Sequence, residues 1–236
     1  MSEENLFREV EDELRAERLK RLWDRYGLYV IAVCLVVIVG VAGMKGWQAW
    51  ELSQAETAGA EFEAALTLAA EGNLEEAAER LAEIARDAPR GYATLARLQQ
   101  AAALAETGDT AAAVRILDEV AADSGADDLL RGFARIRAAT LLVDTADRAE
   151  IESRLSGMTA ESNPWRHSAQ ELLALAAYRS GDLAEADRLF NEIVADGTAP
   201  MGVRQRAHMM VALITPRLGD TVDKSAASGD QGAAGG

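Results

Sequence analysis

His167 and His208 are the two imidazoles of this 236-residue chain, and each falls inside a helical pattern far from the other. Metal binding needs three or four ligands at set spacings, and neither histidine belongs to a Cys, Asp or Glu arrangement of that kind. Proton transfer needs a positioned acid and base. The carboxylates Glu75, Glu76 and Glu79 crowd beside Arg80, in a pattern that reads as a solvated helix face. Cys34 is the single thiol and lies within an apolar run, so no intrachain disulfide forms and redox compartment is immaterial to the fold. No glycine-rich phosphate loop and no nucleophile elbow occur. The expectation is a protein without catalytic residues, cofactor, metal or small-molecule substrate.

Charge narrows the partners. The net charge is −15 and lysine occurs only at Lys20, Lys45 and Lys224, which argues against nucleic acid, because phosphate binding needs a basic surface. Function then rests on surfaces, and the elements that present them are helical. Aromatics are 5% of residues, four prolines occur, and Ala, Leu, Glu and Arg dominate from residue 55 onward. All four are strong helix formers, so the class is all-α.

The stretch "RYGLYVIAVCLVVIVGVAGMKGWQAW" holds nineteen uncharged residues between Arg25 and Lys45. As a helix these span about 29 Å, the thickness of a bilayer's hydrocarbon core. Trp23, Tyr26 and Tyr29 flank one end and Trp47 and Trp50 the other, where interfaces attract amphipathic rings. A cleaved signal peptide would have a shorter apolar core and a small-x-small site after it; "GMKGWQAW" has none. Arg8, Arg15, Arg18, Lys20, Arg21 and Arg25 precede the span, whereas only Lys45 follows it before Arg80. That asymmetry puts the N-terminus in the cytoplasm and the remainder outside. Within the span Gly40 and Gly43 lie one turn apart and Ala42 with Gly46 makes a small-xxx-small pair, so these small residues could let another membrane helix approach closely.

Beyond the span a motif recurs. "EGNLEEAAERLAEIARDAP", "TGDTAAAVRILDEVAADSG" and "SGDLAEADRLFNEIVADGTAP" align Gly72, Gly108 and Gly181, separated by 36 and 73 residues. A degenerate copy should lie between, and "DTADRAEIESRLSGMTAESNP" fits, with Leu155 and Met158 in packing positions. Gly-Asp or Gly-Asn lets the chain leave one helix through a left-handed turn and begin the next. Small–large pairs follow at Ala77 and Leu81, Ala113 and Leu117, Ala186 and Phe190, then Ile84, Val120 and Ile193 one turn on. The first helices carry Glu61, Arg97 and Gln170 where such repeats usually place tryptophan, but keep the small residues Ala65, Ala101 and Ala174. Period and pattern resemble the tetratricopeptide repeat, and a simple helical bundle is the alternative. A last helix with Val203, Ala207, Met210, Val211 and Ile214 should close the stack and stop at Pro216. Leu6, Val10, Leu14 and Leu22 suggest a short helix before the span.

The organisation expected is a cytoplasmic segment (1–25), a transmembrane helix (26–46), a solenoid of about four hairpins on the outer side of the membrane (47–218) and a disordered tail (219–236). Candidate protein-binding residues, all from first helices, are Leu95, Leu98, Glu106, Arg135, Trp165, Tyr178 and Arg179. The lysines and asparagines with which some tetratricopeptide proteins clamp a C-terminal carboxylate are not in place.

The order of parts resembles the YfgM family, an ancillary subunit of the bacterial Sec translocon. The likeness lies in the basic N-tail with one span, "GWQAWELSQAETAGAEFEAAL" directly after it, "YATLARLQQAAALAETGD", and "ALAAYRSGDLAEADRLFNEIV" before a methionine-bearing last helix, over about residues 15 to 214. The resemblance implies an inner-membrane protein with a periplasmic repeat domain (47–218), associated with SecYEG and a membrane-anchored periplasmic chaperone, assisting handover of secreted polypeptides. The long N-terminal segment and the Gly-rich tail depart from it. A different expectation from the same repeats is a scaffold coordinating envelope assembly or cell division, or forming oligomers.

Overall fold

The computed structural model describes the backbone of residues 3–233, and the side chains of 23–218 except at 24, 27, 30 and 34. The stripe of Leu6, Val10, Leu14 and Leu22, the basic side chains from Arg8 to Arg21, Cys34 and the side chains of the tail at 219–236 lie outside the described residues. Within them the elements are helices, in the order α1 (Glu3–Ala70), α2 (Leu74–Asp87), α3 (Arg90–Glu106), α4 (Thr110–Ala122), α5 (Asp128–Leu142), α6 (Arg148–Arg154), α7 (Arg166–Arg179), α8 (Leu183–Ala195) and α9 (Met201–Ala233). The chain divides into two units, Met1–Glu56 and Thr57–Gly236, and α1 contributes to both.

In the first unit, α1 from Ile31 onward includes a stretch long and apolar enough to cross a membrane, none of it buried. Leu28 and Val36 are 79% and 72% exposed. Exposure of consecutive large apolar side chains is costly in water and neutral in lipid. The rings of Trp47 and Trp50 stand 5.4 Å apart. A Cβ at Gly40, Gly43 or Gly46 would meet nothing within 4 Å, so no packing inside the chain explains these glycines.

In the second unit the hairpins form where the sequence repeats. Gly72, Gly108 and Gly181 have φ of +89°, +91° and +84°, the left-handed conformation that glycine alone adopts without strain. The same closing bonds recur in each turn. Asn73, Asp109 and Asp182 donate their backbone N–H to Leu68, Leu104 and Ala177 carbonyls at 2.9, 2.9 and 3.0 Å. These six-to-one bonds satisfy carbonyls that the ending helix leaves orphaned. Asp109 and Asp182 then cap α4 and α8, accepting from the Ala112 and Glu185 N–H groups at 3.0 and 3.2 Å.

The expected small–large columns are the core. Ala65, Ala101 and Ala174 are buried, as are Ala77, Ala113 and Ala186. Leu81, Leu117 and Phe190 fill the space beside them, with Ile84, Val120 and Ile193 one turn on. These residues fall into successive clusters along the stack, each bridging a hairpin and its neighbour. A solenoid is held together in this way, by nearest-neighbour interfaces.

Two expectations need correction. α9 does not stop at Pro216 but carries it inside the helix. Proline costs one backbone donor, yet its φ is helical, and both following residues are held: Arg217 donates to the Tyr178 hydroxyl at 2.7 Å, and Leu218 packs on the last cluster. In the degenerate copy Leu155 and Met158 are buried as expected, but not from a full second helix. α6 has seven residues, against thirteen or fourteen in α2, α4 and α8. Gly157, at φ +75°, turns the chain just after it.

Candidate protein-binding surface

The shortened α6 leaves residues 155–165 without helical structure, anchored by buried Leu155 and Met158. The segment ends at Trp165, the residue capping the start of α7. Asn163 accepts the Trp165 backbone N–H at 2.8 Å, and the indole N–H donates to the Leu129 carbonyl at 3.2 Å. The ring tilts against Phe133, centroids 5.6 Å apart. It also lies so close to α5 that a Cβ on Gly132 would come within 2.5 Å of the indole Cδ1. Glycine at 132 is therefore what seats the tryptophan.

Between this segment and the first turns of α5 opens a cleft of about 550 Å³, whose lining includes Leu129, Arg131, Arg135, Met158, Asn163 and Trp165. On the other side of Arg135 a smaller hollow of about 230 Å³ reaches Asp118 and Arg154. The charges around them are mostly matched. Asp128 takes the Arg131 guanidinium, and Asp127 accepts the Leu129 N–H at 2.8 Å. Arg154 binds Asp118 at 2.7 Å and Glu150 at 3.0 Å. Arg135 is exposed and, among the described residues, has no acidic partner.

Of the residues expected to bind protein, Arg135 and Trp165 come together here. Leu95, Leu98 and Glu106 all belong to α3 and do not line this cleft. Leu95 is 39% exposed, Leu98 packs against the α3–α5 core, and Glu106 is exposed. Tyr178 receives Arg217, whose guanidinium carbon sits 5.8 Å from the ring centre. Leu129 and Gly132 escaped the sequence reading.

Arg179 also holds a turn. The third hairpin turn, at 143–147, lacks a left-handed glycine, and Arg179 reaches back from α7 to donate to the Val143 carbonyl at 2.9 Å and to the Ala146 carbonyl. A guanidinium thus satisfies carbonyls of the one turn within a hairpin, among the described residues, that lacks the glycine device. Arg179→Met is expected to cost about 1 kcal/mol and to speed amide exchange around Thr145–Asp147, leaving the turns at Gly72 and Gly108 unchanged. Equal acceleration in all three turns would refute the role.

The histidines likewise serve the fold or solvent. His167 and Arg166 approach Asp196 Oδ2 at 3.0 and 2.6 Å, closing the last hairpin where α8 ends. Hydrogen bonds from the Thr198 hydroxyl and backbone N–H, and then from His167, hold the Asp196 carboxyl well below the usual carboxylate range. His208 is exposed on α9. Among the described residues no three His, Cys, Asp or Glu side chains are grouped to hold a metal.

Left-handed turns at a fixed interval, small–large columns and stacked hairpins describe one architecture, and residues 20–210 match the tetratricopeptide repeat-like domain family. The chain belongs to that family. No curated protein and no solved structure matches it. The match starts at Lys20, ahead of the apolar stretch, so the candidate span and the repeats fall within one family unit. A tetratricopeptide repeat-like stack is a protein-binding scaffold, built to present an extended surface to polypeptide.

Proposed function

We propose that the chain is a membrane-anchored, protein-binding helical scaffold on the outer side of a bacterial inner membrane. In this reading it is an ancillary component of the SecYEG translocon that helps pass emerging secreted polypeptides to a membrane-anchored periplasmic chaperone. The observation that carries the reading is the family match over 20–210, which takes in the exposed apolar helix together with the repeats. Six basic residues before the span against one after it support a cytoplasmic N-terminus,. Gly40, Gly43 and Gly46, unoccupied within the chain, are offered as the contact for a partner's membrane helix. Anchoring beside the translocon would raise the effective concentration of a weak binding surface without any new contact.

The test is photo-crosslinking in living cells from Ser162 at the rim of the cleft, in the full chain. Capture of translocon subunits or an anchored chaperone is the expected result. Recovery of envelope-division proteins alone would instead establish the scaffold of cell-envelope assembly. A reporter active only outside the cytosol, fused after Leu218, checks the orientation; silence there would overturn it.

A further inference from the structure

Charge is sorted between the two helices of the hairpins. The first helices α3, α5 and α7, with α9 as far as Leu218, carry ten arginines and three acidic residues. The second helices α2, α4, α6 and α8 carry six arginines and twelve acidic residues. A chain of net charge −15 therefore concentrates its positive charge on one set of helices.

Most guanidiniums on the second helices are held by neighbouring carboxylates, as Arg115 is by Glu119 at 2.9 Å and Arg188 by Glu185 at 2.6 Å. Arg135 is not. It is the one guanidinium lining either hollow of the third hairpin that has no acidic partner among the described residues. Beside it stand Leu129, 51% exposed, and the half-buried Trp165. The two acids that line the same cleft are engaged, Asp128 with Arg131 and Asp127 with the start of α5, and Asp118 in the smaller hollow is held by Arg154.

We propose that the cleft between α5 and the 155–165 segment binds an extended polypeptide segment in which a carboxylate side chain lies next to a large apolar one. The carboxylate takes Arg135, and the apolar side chain covers Leu129 and the Trp165 ring. The inference rests on the reading of the repeat domain as a protein-binding surface. An unpaired arginine at an apolar rim supplies charge complementarity and a planar fork that carboxylates match. The overall acidity does not oppose this at contact distance, because at physiological salt charges beyond about 8 Å are largely screened. The site exists because the third hairpin is degenerate. A full-length second helix would leave no loose segment to form the wall, and a side chain at 132 would displace the tryptophan.

The experiment uses the full chain in detergent micelles and fluorescence anisotropy. The probes are three labelled ten-residue peptides, blocked at both ends, in which leucine alternates with aspartate, asparagine or lysine. The aspartate peptide should bind about tenfold more tightly than the asparagine one, and the preference should weaken with salt. Arg135→Glu should abolish it and Arg135→Gln reduce it, at unchanged helical circular dichroism, while Arg115→Glu on α4 leaves it intact. Leu129→Ala should weaken the aspartate and asparagine peptides alike. Equal binding of aspartate and asparagine, a preference for lysine, or a preference that survives Arg135→Glu would overturn the acidic assignment while leaving protein binding in place. Absence of binding by all three peptides would remove the cleft as a polypeptide site altogether.

Discussion

Replacing Phe190 by alanine is expected to destabilise the repeat domain by about 3–5 kcal/mol. Phe190 is fully buried in the cluster that joins α7, α8 and α9, where Ala174, Ala177 and Ala186 approach it and Ile193, Val203 and Ile214 complete the shell. Truncation removes the ring's transfer free energy and leaves a cavity walled in part by helix backbones bearing alanines. Alanine methyls cannot swing into the gap and the β-branched Ile193, Val203 and Ile214 are stiff at χ1, so the site collapses poorly and the cost falls at the high end. In a solenoid the loss is local before it is global. Amide exchange should therefore accelerate in α8 and α9 first, with α2 to α4 protected longer. Urea unfolding followed by circular dichroism gives the magnitude. Leu98→Ala, at a half-buried position, should cost clearly less. A Phe190→Ala loss below about 1 kcal/mol would mean the cluster is not close-packed.

Placing charge in the apolar helix is expected to have the second large effect. Val36→Arg together with Val37→Asp puts two charges at the middle of the 26–46 stretch, at a combined cost of about 5–7 kcal/mol for insertion. The doubly substituted chain should appear in the soluble fraction after alkaline extraction of membranes, while the unsubstituted chain stays with the lipid. The second unit should keep its helical signal and its melting behaviour, because its core lies in separate clusters. Retention of the charged variant in the membrane would defeat the anchor reading, because a helix lying in the headgroup region can keep such a pair in water whereas a spanning one cannot.

The recurring turn was legible residue by residue. Gly72, Gly108 and Gly181 stand out because one backbone conformation demands glycine, and Asp109 and Asp182 follow because a short acceptor caps the next helix. The buried alanine and leucine columns were equally plain, because helical spacing puts them on one side. The exposed apolar stretch of α1 needed only length and composition to read. The direction proposed for it across a bilayer rests on the basic residues around it,.

The cleft was not legible, nor was the employment of its neighbours. Arg135 and Trp165 could be picked as exposed-looking residues of first helices, but Leu129 and Gly132 had no signature, because a glycine within a helix announces nothing about the ring seated on it. Arg179 read as a binding residue, and nothing in its sequence context announced that it also donates to carbonyls of a turn 33 to 36 residues earlier. By itself the sequence determined what depends on backbone conformation and on helical period: the class, the repeat, the apolar helix and the core. Only the tertiary structure decided which charges find partners and where a shortened helix leaves a hollow, because both depend on distances between residues remote in the chain.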